Sequence, residues 1–306
     1  MANVNMQEVK ELRDRTQAGL NDCRSALVES NGDMEKAVEI ILKKGLAKSV
    51  KRAGAVATEG EVAARVTADG KRATIVEVNI QTDFAARNED FRAFVQKVLD
   101  AAEQAKPGAE LGAEPFPGGA GTVEDARAAL VGRLGENITV RRFDAVAAEG
   151  AGAVASYVHM GGKIGVVLSA RADRAADFAG FLNDVAMQIA AMAPLYLTKA
   201  DVPEADQAKQ ADIFAGQLAE EGKVPEDKRG KVIEGKIAKW MKEVCLLEQE
   251  SVLDSSKTIE QQRAELAKSL GVSLELTRFV RYQLGEGIEK PQGEDFAAEV
   301  AKMAGN

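Results

Sequence analysis

Glu77-Val78-Asn79-Ile80-Gln81-Thr82-Asp83-Phe84 is a β-type segment that stops and hands a carboxylate and a bare Phe to a connection. Asn88, Glu89 and Asp90 follow, and Phe91, Phe94, Val95, Val98 and Leu99, spaced three and four apart, predict an amphipathic helix. Phe84 falls on neither apolar face. A large apolar side chain in a strand-to-helix loop either folds back as a plug for the core or is offered to a partner. Burying a Phe gains roughly 1.5–3 kcal/mol, which by itself favours the plug.

Outward from this stretch, residues 60–193 repeat themselves. With a shift of 92 positions, Val62, Val66, Gly70, Lys71 and Val76 fall on Val154, Val158, Gly162, Lys163 and Leu168. Two hairpins are predicted, turning at Asp69-Gly70 and Gly161-Gly162. The helices that follow align with a shift of 87, Phe91, Phe94, Val95 and Val98 matching Phe178, Phe181, Leu182 and Val185. The first copy therefore carries five extra residues between hairpin and helix, in the connection that holds Thr82-Asp83-Phe84. Residues 105–121, rich in Gly, Pro and Ala, read as a loop of low order. A helix from Thr122 to about Leu134 opens with an Asp variant of the capping box, Thr122 and Asp125, and stops at Gly135. Asn137 to Phe143 is the next strand.

Residues 6–45 read as three short helices punctuated by Gly19 and Asn31-Gly32, followed by Lys43, Lys44, Lys48, Lys51 and Arg52 in a basic stretch read as a solvated linker. Two helical runs, Glu204 to Glu221 and Pro225 to Leu247, flank Gly222-Lys223-Val224. Ile213 and Leu218 on one, and Val232, Ile233, Ile237, Trp240, Met241 and Val244 on the other, give the stripes of an antiparallel helical hairpin with Trp240 at its packed centre. A loop at Val252-Leu253-Asp254, a helix from near Thr258, a strand through Thr277 to Tyr282 and a final amphipathic helix with Phe296, Val300 and Met303 complete the chain.

The 306 residues suffice for two ordinary domains, and 45% hydrophobic content supplies a core, although only 5% is aromatic. A net charge of -8 argues against a general grip on nucleic acid, which relies on Lys and Arg displacing counterions from phosphates. Cys23 and Cys245 sit in helical, apolar contexts and read as two buried free thiols, consistent with a reducing compartment. No basic region followed by an apolar run opens the chain, and no stretch approaches 18 uninterrupted apolar residues, so no membrane association and a cytoplasmic location are expected. The single histidine, His159, cannot build a multi-histidine metal site and reads by default as a satisfied strand-end residue. No Cys pair has ligand spacing, and neither a phosphate loop nor a dinucleotide fingerprint occurs.

Two segments together carry a family resemblance. Leu12-Arg13-Asp14-Arg15-Thr16-Gln17-Ala18-Gly19-Leu20-Asn21-Asp22-Cys23-Arg24-Ser25-Ala26-Leu27 and Glu77 to Phe84 closely resemble the two signatures of bacterial elongation factor Ts. Further likeness runs through Leu134-Gly135-Glu136-Asn137, Ser156-Tyr157 with His159, Ser256-Lys257-Thr258 and Gly285 to Lys290, and so covers essentially the whole chain. The resemblance implies an α+β fold: a ubiquitin-associated-like three-helix module at 1–54, and a core of two related hairpin/helix subdomains at 55–150 and at 151–198 with 250–284. A helical-hairpin, coiled-coil arm at 199–249 and a C-terminal module at 285–306 complete it.

The implied function is nucleotide exchange on elongation factor Tu, the GTPase that carries aminoacyl-tRNA, with no cofactor, no metal of its own and no catalytic residues. Thr82, Asp83, Phe84 and Ala85 match residues that enter the partner's GTPase domain and dislocate its Mg²⁺, which reverses the plug reading of Phe84. Arg24, Leu134, Gly135, His159, Val252 and Leu253 match residues that touch the partner. The family usually has Lys at Arg24, often Cys or Ser at Ile80, and Val at Ala85. Arg24 keeps the charge but changes its donor geometry, and Ala85 trims a contact. Whether the arm pairs two copies, as a homodimer or a 2:2 complex, stays open. The alternative, a non-catalytic ubiquitin-associated-type adaptor, leaves the elaborated connection at Thr82 to Phe84 unexplained.

Overall fold

The computed structural model describes residues 4–16, 18–106, 108–119 and 121–289. The amphipathic helix expected around Phe296, Val300 and Met303 lies outside them. Three helices come first: α1 (Met6–Thr16), α2 (Leu20–Glu29) and α3 (Met34–Arg52). Val9, Leu12, Cys23, Ala26, Leu27, Ala37 and Ile41 meet in their common core. Asp33 opens α3 by accepting from the Lys36 N–H at 3.1 Å, satisfying one of the orphan donors of a helix start.

The first sheet has the order β1 (Glu59–Val66), β2 (Arg72–Ile80), β3 (Ile138–Ala147), all antiparallel. Between β2 and β3 the chain forms a single turn of helix, α4 (Asp83–Ala86), then α5 (Glu89–Gln104) and α6 (Val123–Leu134). The expected apolar face of α5 is buried, from Phe91 through Leu99, against Val76, Val78 and Ile80 of β2. Alternate residues of β2 therefore face the helices, while Ala73 and Ile75 face the other way.

The second sheet repeats the order with β4 (Ala153–His159), β5 (Ile164–Ala172) and β6 (Leu274–Gln283). Between β5 and β6 lie α7 (Ala179–Met192), the hairpin of α8 (Glu204–Glu221) and α9 (Glu226–Val244), and α10 (Ile259–Leu270). Helices α7 and α10 cover the outer face of this sheet. The inner faces of the two sheets meet through Val62, Ala73, Ile75, Val146, Val167 and Tyr282. The result is a helix–sheet–sheet–helix sandwich with α8 and α9 inserted in its second half.

The duplication extends further than the hairpins. Thr122 caps α6 in a capping box with Asp125, and Thr258 caps α10 in one with Gln261. Arg127 pairs with Glu124 and donates to the Ile138 carbonyl at 2.7 Å; Arg263 pairs with Glu260 and donates to the Leu274 carbonyl. All these positions correspond with a constant shift of 136. The larger shift records the inserted arm.

Two expectations are corrected. The basic stretch from Lys43 to Arg52 is not a linker but the second half of α3, because this half packs on α6: a Cβ on Gly45 would stand 3.3 Å from the Ala128 carbonyl oxygen. The described part of 105–121 is likewise anchored, with Leu111 buried and the Phe116 ring stacked on Phe94 at 5.9 Å between centroids. Within the arm, only Leu218 on α8 and Met241 on α9 are buried. Trp240 is half-buried and belongs with Val202, Ile237, Met241 and Cys245 to the cluster at the root of the arm. Cys23 and Cys245 are buried and unpaired, and burial pushes both thiols up.

Candidate functional site

Thr82 decides how the chain leaves β2. Its extended backbone and side-chain oxygen, which accepts from the Ala85 N–H at 3.2 Å, cap α4. Ala85 and Ala86 pack on the helix-side core, so the turn sits on its small residues. Phe84 points away from them and is 81% exposed. Asp83 is held by Arg87 one turn on, at 2.9 Å. The connection expected as a loop is thus a capped helical turn that offers an aromatic ring beside a carboxylate.

The Leu134-Gly135-Glu136-Asn137 segment runs directly alongside. Gly135 ends α6 at φ 76, a left-handed conformation that glycine adopts without steric cost. The turn delivers Glu136, whose Oε2 and Oε1 accept from the Thr82 N–H at 3.0 Å and the Thr82 hydroxyl at 2.8 Å. The Gln81 side chain accepts from the Asn137 N–H at 2.6 Å. Leu134 and Gly135 are thereby brought to the base of the Phe84 turn, as half-buried and exposed residues.

His159 reaches the same end of the molecule by another route. The β4–β5 turn touches β1 through Val62 N–H to Gly162 O at 2.8 Å and Lys163 to Glu59 at 2.8 Å, and Glu59 pairs with Ile80. His159 is exposed, its Nδ1 2.9 Å from the Tyr157 hydroxyl and the two rings stacked. Val252 and Leu253 are exposed in a loop that the buried Gln188 of α7 holds by accepting from the Val252 N–H at 2.8 Å. Arg24 is exposed on α2. Residues Gly19 and Asp22 near the start of that helix share a small cleft with Gly132 and Arg133 of α6.

Sequence reasoning missed three exposed apolar residues, Met160, Met192 and Leu195. Met160 carried a signal, being apolar in a Gly-rich turn as Phe84 is apolar in a connection. It also missed what Glu77 does. Glu77 is fully buried between the sheets and accepts from Arg141 at 2.9 Å, Arg142 at 2.6 Å, Asn79 at 3.1 Å and the Gly285 N–H at 2.8 Å. The ladder slips at Glu77/Val78, and the bulge turns two successive arginines of β3 toward one carboxylate. Burial pushes the Glu77 carboxyl up, but the Gly285 N–H and the two guanidinium groups outweigh it and hold the carboxyl below its ordinary range. Gly285 follows β6, so Glu77 ties one sheet to the other five residues before Thr82.

Among the described residues no group of three or more His, Cys, Asp or Glu is placed to hold a metal. None of their helices is long and apolar enough to cross a membrane. The family model described as Elongation factor TS matches residues 81–286, which places this duplicated α+β core with its inserted helical arm among translation elongation factors. Over 301 residues the chain is 48% identical to elongation factor Ts of a Nitratiruptor species, covering 97% of this chain and 98% of the relative. It is 45% identical over 305 residues to elongation factor Ts of Clostridium perfringens, covering 99% of both. With the same protein of Trichlorobacter lovleyi it shares 45% identity over 306 residues, 97% of each. The chain belongs to the elongation factor Ts family.

Proposed function

We propose that this chain is a guanine nucleotide exchange factor for elongation factor Tu, acting by contact and not by bond chemistry. The observation that carries the reading is Phe84, a large apolar ring held outside the core on a turn that is capped by Thr82, itself hydrogen-bonded to Glu136. Thr82, Asp83, Phe84 and Ala85 form the element that enters the partner near its Mg²⁺ and phosphate site. Arg24, Leu134, Gly135, His159, Val252 and Leu253 supply surrounding contacts. An exchange factor must favour the nucleotide-free partner, since a ligand shifts an equilibrium only by its differential affinity for the two states. A wedge that displaces the groups holding Mg²⁺ supplies that difference without a cofactor. The division into a helical module at 1–54, two core subdomains, an arm and a C-terminal module belongs to the same proposal, with the arm and C-terminal module providing attachment.

The test is to mix the protein with elongation factor Tu loaded with fluorescent GDP and an excess of unlabelled GDP. Signal loss should accelerate in proportion to added protein until it saturates. An unchanged release rate at saturating protein would exclude exchange activity and favour an adaptor role.

A further inference from the structure

We infer that Glu136 is a positioning residue for nucleotide exchange, a strap that fixes the direction in which the Asp83-Phe84 turn projects; the inference rests on the exchange-factor reading above. Helix α4 has four residues. One turn of helix does not hold itself, because nucleation fixes several dihedral angles for a single hydrogen bond. The Asp83–Arg87 pair, with side chains 47% and 71% exposed, adds little to its rigidity. Glu136 contributes two charge-assisted hydrogen bonds, one to the Thr82 backbone and one to its hydroxyl. Because the hydroxyl gives its proton to Glu136, its lone pairs are left for the Ala85 N–H. The carboxylate thus sets both where the turn starts and the orientation of its cap.

The second copy of the fold shows what the strap is for. There the Asp173 carboxylate accepts from the Ser273 N–H at 2.9 Å and hydroxyl at 2.8 Å. By the shifts of 92 and 136, Asp173 and Ser273 correspond to Gln81 and Asn137, which make the equivalent clasp at 2.6 Å. Both copies therefore close the junction between second strand and third strand in the same way. The counterparts of Thr82 and Glu136 are Arg174 and Val272, which cannot form the strap. The fold closes without it. The Thr82–Glu136 contact occurs in the copy whose connection carries the five extra residues, so it goes with the presented turn and not with the sandwich.

Exchange kinetics of Glu136→Ala and Glu136→Gln separate positioning from folding. At saturating factor, Glu136→Ala should slow release of fluorescent GDP about tenfold or more, as misdirected contact groups do. Glu136→Gln should fall between, since its amide nitrogen can no longer accept. The melting temperature and affinity for nucleotide-free elongation factor Tu should change little, because attachment elsewhere is intact. Fluorine NMR of para-fluorophenylalanine placed at position 84 reads the turn without the partner, and Glu136→Ala should shift its resonance and narrow it as the ring gains freedom. An unchanged resonance, a wild-type exchange rate in Glu136→Ala, or a fall in melting temperature that tracks the loss of rate would overturn the inference. If wild-type protein fails to release GDP while the resonance still responds to Glu136→Ala, the exchange reading fails and the strap stands as the support of the turn.

Discussion

Phe84→Ala is expected to slow exchange by between about 30- and 700-fold, the equivalent of the roughly 2–4 kcal/mol carried by a central aromatic contact. The folded protein should hardly notice. Phe84 is 81% exposed, so truncation removes almost no buried apolar surface and leaves no cavity. Phe91 on the adjoining helix is the control, because it is fully buried in the core beneath the first sheet. Phe91→Ala should cost about 3–5 kcal/mol of stability. Thermal melts of the two variants beside wild type check the contrast, and a large fall in melting temperature for Phe84→Ala would mean that the ring is a core plug after all.

Glu77→Ala is expected to be the most destabilising polar substitution in the sandwich. It leaves Arg141 and Arg142 facing each other without their shared carboxylate and strands the Gly285 N–H. Breaking a buried pair costs about 3–5 kcal/mol; the arginine side chains keep 24% and 29% exposure, which lets water recover part of this and points to the lower end. The sign of the pH dependence follows from the same contacts. The folded-state carboxyl lies below its ordinary value of 4.5, so its contribution is fully present above that value and is lost as pH falls through the depressed folded value. Urea melts from neutral pH downward should show wild type losing stability in this acid range and Glu77→Ala losing less. A Glu77→Ala protein as stable as wild type at neutral pH would show that the latch carries no net stability.

The sequence was most readable where one local cause decided the structure. Thr122 with Asp125 and Gly135 marked both ends of α6, and the spacing of Phe91 to Leu99 marked the buried face of α5. The paired hairpins were legible because turn glycines and strand residues recur together. The third strands and the α6–α10 correspondence were not, since the inserted arm changes the shift from 87 to 136. The second half of α3 was hidden for a different reason. Gly45 amid lysines looks like a break, and its purpose is set by Ala128, which lies far off in sequence. At the site, the sequence identified Phe84 as out of place on either apolar face but could not decide between burial and exposure; the family resemblance supplied the choice. Glu136 and Glu77 act through partners 54 and 64 positions distant, and acidic residues are too common for either to stand out.

The exchange mechanism is tested most directly by measuring the affinity of this protein for elongation factor Tu with and without saturating Mg-GDP. Linkage requires reciprocity: a factor that lowers the partner's affinity for GDP must itself be bound more weakly, by the same ratio, when GDP is present. Wild type should therefore bind much more weakly in Mg-GDP. For the Asp83→Ala, Phe84→Ala double variant the two affinities should converge, because the proposed mechanism assigns the coupling to these residues. Equal wild-type affinity in the presence and absence of Mg-GDP would contradict the mechanism, since a protein with no preference between the two states of its partner cannot shift them.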